Sequence, residues 1–158
     1  MPQAPLRVYA DTSVFGGVFD EEFSAPSKRF FDEVRSGALH LVLSVTVQQE
    51  LADGPPEVQA LVEDLAGVAE VVDLPAEAFD LQAAYLQQGV VPGSCAMDAL
   101  HVAAATVWDC AVIVSWNFRH IVNYRRIRLY NAVNALTGHN PVAIHTPLEV
   151  VSGEEEEL

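Results

Sequence analysis

Strand-sized and helix-sized segments alternate along most of this chain, and that alternation constrains its fold more than any other feature. The short, apolar segments that resemble strands are 6–10, 39–44, 68–74, 111–115 and 142–145. The helical patterns between and around them are 27–37, 44–53, 57–66, 76–89, 95–109 and 125–138. Two strands joined through a helix in one sheet run parallel, by a right-handed crossover. We therefore predict a three-layer α/β/α fold with a mainly parallel central sheet and helices on both faces.

A loop and a helix N-cap are predicted from individual residue types. Gly16 and Gly17 follow the first strand and indicate a loop there. Ser94 precedes the helical pattern that starts at residue 95, and serine is a favoured N-cap residue, so we expect it to cap that helix.

Length and composition predict one domain over residues 1–151. The chain has 158 residues, of which 51% are hydrophobic, and no apolar run reaches the roughly 18 residues that cross a bilayer. Residues 152–158 form an acidic tail that we expect to be mobile, because its like charges repel one another. The N-terminus has no cationic and apolar signal pattern, and Cys95 and Cys110 have no metal-binding spacing. These features indicate a cytoplasmic protein with two reduced thiols and no membrane association.

The formal net charge of −14 argues against nucleic-acid binding through a broad basic face. It does not exclude nucleic-acid chemistry at a site that contains a cation. The basic residues are also unevenly placed, and one short stretch holds four arginines: Arg119, Arg125, Arg126 and Arg128. This stretch is either a local basic rim or an ordinary solvated helix face.

Polar side chains lie where predicted strands end and where one apolar helix begins. Asp11 and Asn117 each come just after a strand, and Glu50 lies six positions after Ser44, where the second strand ends. Asp98 lies in the first turns of a helix that is apolar on all sides. Ligands of open parallel sheets bind beyond the carboxyl ends of the strands. The sequence therefore predicts that Asp11, Glu50 and Asp98 meet at one rim of the sheet, with Asn117 beside them.

The predicted rim offers hard oxygen ligands, with hydroxyl groups from Ser13 and Ser115 nearby. Two or three carboxylates that leave other positions to water or phosphate suit Mg²⁺ or Mn²⁺. No zinc-type His/Cys spacing and no glycine-rich nucleotide motif is present in the sequence. His101, three residues after Asp98, is expected to be a hydrogen-bonded core histidine or to contact the site indirectly.

Four motifs in this order resemble the PIN-domain nucleases, most closely their VapC-type toxin branch. The motifs are D-T-S from Asp11, S-x-x-x-x-x-E-L from Ser44, M-D-A-L-H from Met97 and S-W-N-F-R-H-I from Ser115. The resemblance extends to about Val151. It implies a PIN-like fold, Mg²⁺- or Mn²⁺-dependent cleavage of RNA, a homodimer and a small antitoxin protein as partner.

Carried over residue by residue, the resemblance implies metal ligands at Asp11, Glu50 and Asp98. A fourth catalytic position, often aspartate in the family, is Asn117 here, which leaves open the number of metal ions and the level of activity. Ser13 and Ser115 are expected to orient the site or the substrate. Arg119, and as further candidates Arg125 and Arg126, are expected to contact the RNA backbone.

Two other functions fit parts of the same pattern. Phosphatases that use an aspartate after the first strand usually have a second acid two positions later, where this chain has Ser13. A PIN-like domain of low or no activity that binds RNA or a protein partner is the other alternative, and the Asn117 replacement favours it. Cleavage that depends on a divalent metal distinguishes the nuclease from this binding domain.

Overall fold

The computed structural model describes residues 4–151, which fold around a five-stranded sheet. The strands are β1 (Leu6–Ala10), β2 (Leu39–Ser44), β3 (Glu70–Val72), β4 (Val112–Val114) and β5 (Ala143–His145). The helices are α1 (Thr12–Gly17), α2 (Ser24–Ser36), α3 (Val45–Leu51), α4 (Pro56–Ala66), α5 (Ala76–Gln87), α6 (Ala96–Val107), α7 (Tyr124–Leu136) and α8 (Pro147–Val150). A short 3-10 turn, Gly93–Cys95, precedes α6.

The strands are arranged in the order β3-β2-β1-β4-β5, and every neighbouring pair is parallel. The predicted α/β fold with a parallel central sheet is therefore confirmed. β1 is the central strand, with β2 on one side and β4 on the other. Because all three run in the same direction, the segments that follow Ala10, Ser44 and Val114 emerge at the same edge of the sheet.

The central strands and α6 form the most deeply buried part of the molecule. Val8, Tyr9 and Ala10 of β1 are at most 1% exposed, and the whole stretch Ala99–Thr106 of α6 is buried. Burial on all sides explains why α6 is apolar around its full circumference. It also means that any polar side chain of α6 needs a partner inside the protein.

The predicted loop at Gly16 and Gly17 and the predicted N-cap at Ser94 are both wrong. Residues 12–17 form helix α1 instead of a loop, and Asp11 is its N-cap, with its side chain accepting a hydrogen bond from the Ser13 N–H. Gly17 is a place of close contact, since a Cβ there would lie 2.7 Å from Ser27 Oγ. Ser94 lies inside the 3-10 turn, and the N-cap of α6 is Cys95, whose side chain makes no capping bond.

Some predicted strand boundaries are too wide, and one short helix was not predicted. The segments 68–74 and 111–115 are strands only over their central three residues, because only those residues pair with neighbouring strands. Helix α8 has no counterpart in the sequence prediction. Within residues 4–151, no helix has the length and apolarity needed to span a bilayer. The predicted acidic tail, residues 152–158, lies outside the described residues.

Candidate active site

Asp11 lies at the carboxyl end of the central strand and is only 3% exposed. Its Oδ1 accepts hydrogen bonds from the Ser13 hydroxyl at 2.6 Å and the Ser13 backbone N–H at 3.1 Å. Its Oδ2 accepts a bond from the Ser115 hydroxyl at 2.7 Å. Strand β1 and the N-cap position therefore fix the carboxylate from both sides, and three donors hold its orientation.

The electrostatic environment of Asp11 favours a neighbouring cation. Burial raises the pKa of the Asp11 carboxyl above its ordinary value, against the opposing effects of the nearby His101 and of hydrogen bonds from Ser13 and Ser115. The groups that donate directly to this carboxylate are all uncharged in the described part of the chain. A buried carboxylate that lacks a charged donor is stabilised by a bound cation, so the oxygen atoms here suit a divalent ion.

Glu50 is held by a chain of hydrogen bonds that runs through the core. Its Oε1 lies 2.5 Å from His101 Nε2, and His101 Nδ1 lies 2.7 Å from the Tyr9 hydroxyl. The Tyr9 hydroxyl lies 2.8 Å from Ser44 Oγ, which accepts from the Val47 N–H at 3.1 Å. No buried side-chain nitrogen or oxygen in residues 4–151 lacks a hydrogen-bond partner.

With Glu50 ionised, its carboxylate only accepts hydrogen bonds, and with His101 neutral, one ring nitrogen donates and the other accepts. His101 Nε2 then donates to Glu50, and a neutral imidazole accepts the Tyr9 proton at Nδ1. Ser44 in turn donates to Tyr9 while it accepts from Val47. Every group in the chain is thus paired, and Glu50 is oriented by buried residues although its own side chain is 29% exposed.

Asp98 faces a different histidine. Its Oδ2 lies 3.5 Å from His120 Nδ1, and its side chain is 26% exposed. The thiol of Cys95 also contacts this imidazole, at 3.4 Å from Nε2 and 3.6 Å from Nδ1. Asp98 therefore lies at the same end of α6 as predicted, but in a cluster that contains nitrogen and sulfur as well as oxygen.

The segment after β4 closes the site from the other side. Ser115 is fully buried and accepts a hydrogen bond from the Asn117 N–H at 2.9 Å as it donates to Asp11. Asn117 Oδ1 accepts from the backbone N–H groups of Arg119 and His120 at 3.1 and 2.9 Å. The Asn117 side-chain oxygen thus stabilises the turn that follows, and an aspartate could accept the same two bonds.

The predicted site residues are brought together only in part. Asp11, Ser13, Ser115 and Asn117 form one hydrogen-bonded group, and Glu50 is joined to their surroundings through His101, which lies near Asp11. Among residues 4–151, the one group of three or more potential metal ligands within 4.8 Å of one another is Cys95, Asp98 and His120. The roles assigned to Asp11, Glu50 and Asp98 as ligands of one ion remain predictions.

The sequence pattern did not identify four residues of this region: Tyr9, Ser44 as part of a bond network, Cys95 and His120. Tyr9 lies within the predicted strand 6–10, and its hydroxyl partners come from β2 and α6, which are distant in sequence. Cys95 and His120 are 25 positions apart, without a ligand motif around either. Only the path of the loop after β4 brings them together.

Solved structures with the same architecture support the fold. A chain in the crystal structure of VapBC2 from Rickettsia felis, bound to a DNA fragment from its promoter, aligns with a TM-score of 0.55 and 11% sequence identity. The alignment covers 89% of this chain and 98% of that one.

The chain has a PIN-like fold. This confirms the fold that the four motifs implied. No protein-family model matches the chain, and no curated protein matches its sequence. Within the PIN-like fold, Asp11 and Ser115 directly follow β1 and β4, and Ser44 is the last residue of β2; the three strands are parallel neighbours. Their common edge is therefore the candidate active site.

The arginines near this edge differ in their availability. The Arg126 guanidinium donates to the backbone carbonyls of Arg119 and Val90 at 2.9 and 2.5 Å, so it ties the loop after β4 to the start of α7 and to the segment before α6. Arg119 is exposed at the surface of that loop. Of the two side chains, Arg119 is therefore the more accessible to solvent.

Proposed function

We propose that this protein is a divalent-metal-dependent ribonuclease. The observation that carries the proposal is the buried Asp11 carboxylate, held by uncharged donors at the carboxyl end of the central strand. Keeping an ionised carboxylate in that position costs stability unless a cation is bound. The PIN-like fold, and Ser13 at the position where the phosphatases have a second acid, support a nuclease over the phosphatase alternative.

In this proposal Asp11 is the fixed ligand for Mg²⁺ or Mn²⁺, and Asp98 and Glu50 supply the further oxygens. A bound divalent ion polarises a phosphate and lowers the pKa of its bound water. Ser13 and Ser115 keep both oxygens of Asp11 in place. His101 orients Glu50, which can then accept a proton from an attacking water or contact the ion through water.

The substrate assignment rests on surface charge and on the resemblance. A protein with a net charge of −14 repels RNA at long range, so the cation and Arg119 would be the groups that position a phosphate. We further propose that the protein acts in the cytoplasm as the toxin of a toxin–antitoxin pair, forms a homodimer and is bound by a small antitoxin.

A second candidate function follows from the environment of Glu50, Asp98 and Asn117. Glu50 and Asp98 contact histidines, and the Asn117 side-chain oxygen is engaged in a turn. These contacts favour a PIN-like domain of low or no activity that binds RNA or a protein partner. Metal-dependent cleavage decides between this function and the nuclease.

The experiment compares cleavage of a mixed-sequence RNA by the parent protein and by Asp98→Asn, in Mn²⁺ and in EDTA. We expect cleavage by the parent in Mn²⁺ only, and a loss of about 100-fold or more in the variant, because a group that holds the ion acts in the transition state. Asp53→Asn is the matched control, since Asp53 is exposed near the end of α3. RNA binding without cleavage by the folded parent would instead support the binding domain.

A further inference from the structure

We propose that Cys95, Asp98 and His120 form a binding site for a transition-metal ion, with Zn²⁺ as the preferred ion. The three side chains are the sole group among residues 4–151 whose sulfur, carboxylate and imidazole atoms all lie within 4.8 Å of one another. This inference goes beyond the proposed ribonuclease function and does not require it.

The two distances from His120 Nδ1 to the other ligands are close to the edges of a tetrahedral zinc site, and all three ligand atoms lie within 4.8 Å of one another. With bond lengths of about 2.0 Å to nitrogen or oxygen and about 2.3 Å to sulfur, tetrahedral ligands are separated by roughly 3.3–3.6 Å. His120 Nδ1 lies 3.6 Å from Cys95 Sγ and 3.5 Å from Asp98 Oδ2. One imidazole nitrogen is therefore correctly spaced from both other ligands, and the fourth position is left to water.

The backbone already places the three ligands for this geometry. Cys95 is the N-cap of α6 and Asp98 lies in its first turn, and their ligand atoms lie within 4.8 Å of each other. The His120 backbone is held at both ends: its N–H donates to Asn117 Oδ1 at 2.9 Å, and its carbonyl accepts from the Tyr130 hydroxyl at 2.9 Å. A metal ion would link the start of α6 to the loop after β4.

The ligand types decide which ion is preferred. Thiolate and imidazole favour Zn²⁺ over Mg²⁺, which prefers oxygen ligands in octahedral geometry. His120 and Asp98 are 16% and 26% exposed, so an ion can reach them from solvent. Binding forms a zinc–sulfur bond, and the Cys95 thiol proton is released to water.

Asp98 belongs to both ligand sets. If the proposed function is correct, Zn²⁺ at this cluster withdraws a carboxylate from the Mg²⁺ or Mn²⁺ set at Asp11. Zn²⁺ and the divalent ion at Asp11 would then compete for Asp98 at one edge of the sheet. The zinc site itself is tested without any measurement of RNA cleavage, so its failure and that of the ribonuclease proposal are distinguishable.

The first test uses Co²⁺ as a spectroscopic substitute for Zn²⁺ in the reduced, chelator-treated full-length protein. We expect a thiolate-to-cobalt charge-transfer absorption in the parent that disappears when Zn²⁺ is added. Cys95→Ser should lose it, and His120→Asn should weaken Co²⁺ binding by about tenfold or more. His139→Asn is the matched histidine control and should behave like the parent. No charge-transfer band in the parent, or the same band in Cys95→Ser, would overturn the proposal.

The second test measures the accessibility of the Cys95 thiol directly. Burial raises the pKa of the Cys110 thiol to about 12, so Cys110 reacts slowly at neutral pH. In the Cys110→Ala variant Cys95 is the single thiol, and its alkylation rate can be followed with and without saturating Zn²⁺. We expect Zn²⁺ to slow alkylation by about tenfold or more. Equal rates would mean that the Cys95–His120 contact is an ordinary thiol–imidazole hydrogen bond.

Discussion

Asp11 combines two roles that have opposite effects on stability. Its carboxylate caps α1 through the Ser13 N–H, which stabilises the helix, but it is also desolvated. Asparagine caps helices about as well as aspartate and carries no charge. Asn at this position keeps the capping oxygen and removes the cost of burying the charge.

We therefore expect Asp11→Asn to be at least as stable as the parent in EDTA at neutral pH. The folded-state pKa of Asp11 is raised above the ordinary value of 3.8, so the folded state binds the proton more tightly than the unfolded state does. The parent then loses stability relative to the variant as pH rises from about 3.8 through the raised pKa.

Urea unfolding of both proteins between pH 3 and 8, without metal, measures this difference. The variant's advantage should be near zero at the acid end and constant above the folded-state pKa. A parent that is more stable than the variant at neutral pH would show that Asp11 has a stabilising cationic contact in the metal-free protein.

The Tyr9 hydroxyl provides a second prediction at the residue scale. Tyr9→Phe removes the group that links Ser44 to His101 in a fully buried position. Because partners are left unsatisfied in the core, we expect a loss of about 1–3 kcal/mol in the free energy of unfolding. Tyr124→Phe is the control, since Tyr124 is 75% exposed, and it should change stability by less than about 0.5 kcal/mol. Similar losses in the two variants would contradict the bond network described for Glu50.

At the scale of elements, helix α1 is fitted tightly against α2 and the loop after β4. A Cβ on Gly17 would lie 2.7 Å from Ser27 Oγ and 2.9 Å from Trp116 Nε1, two atoms that share a hydrogen bond. The next glycine, Gly16, has open space where its Cβ would be. The two neighbouring positions therefore differ in whether they can accept a side chain larger than that of glycine.

We expect Gly17→Ala to lower the free energy of unfolding by about 1–3 kcal/mol, because the buried Ser27–Trp116 contact must shift. Gly16→Ala should raise it by about 0.4–1 kcal/mol through the reduced freedom of the unfolded chain. Thermal or urea unfolding of the two variants side by side checks both signs. If Gly17→Ala were tolerated as well as Gly16→Ala, α1 would not be packed as described.

At the scale of the whole molecule, the fold was predictable because each strand and most of the helices are indicated by the residues within their own segments. Each strand and most helices have their own periodicity, and alternation implies parallel pairing without knowledge of any contact. Helix α1 was missed because Gly16 and Gly17 are poor helix formers, and tertiary packing of Gly17 against Ser27 overrides that preference.

The site was predictable to the extent that it depends on strand ends. Asp11 and the Ser115–Asn117 segment could be placed on one rim because each follows a predicted parallel strand, and the structure shows that β1 and β4 are neighbours. The partners of Glu50 and Asp98 could not be predicted. His101 and His120 reach them through the orientation of α6 and through a loop path, which no short-range pattern encodes.

The whole account depends on Asp11 as the anchor of a divalent cation, and thermal unfolding in a Mn²⁺ titration tests that most directly. The parent and Asp11→Asn are compared, with EDTA as the zero point and Asp53→Asn as the control. We expect Mn²⁺ at about a hundredfold excess over Kd to stabilise the parent by about 2.7 kcal/mol, and the variant to lose most of that gain. An equal Mn²⁺-induced shift in the parent and in Asp11→Asn would contradict the account.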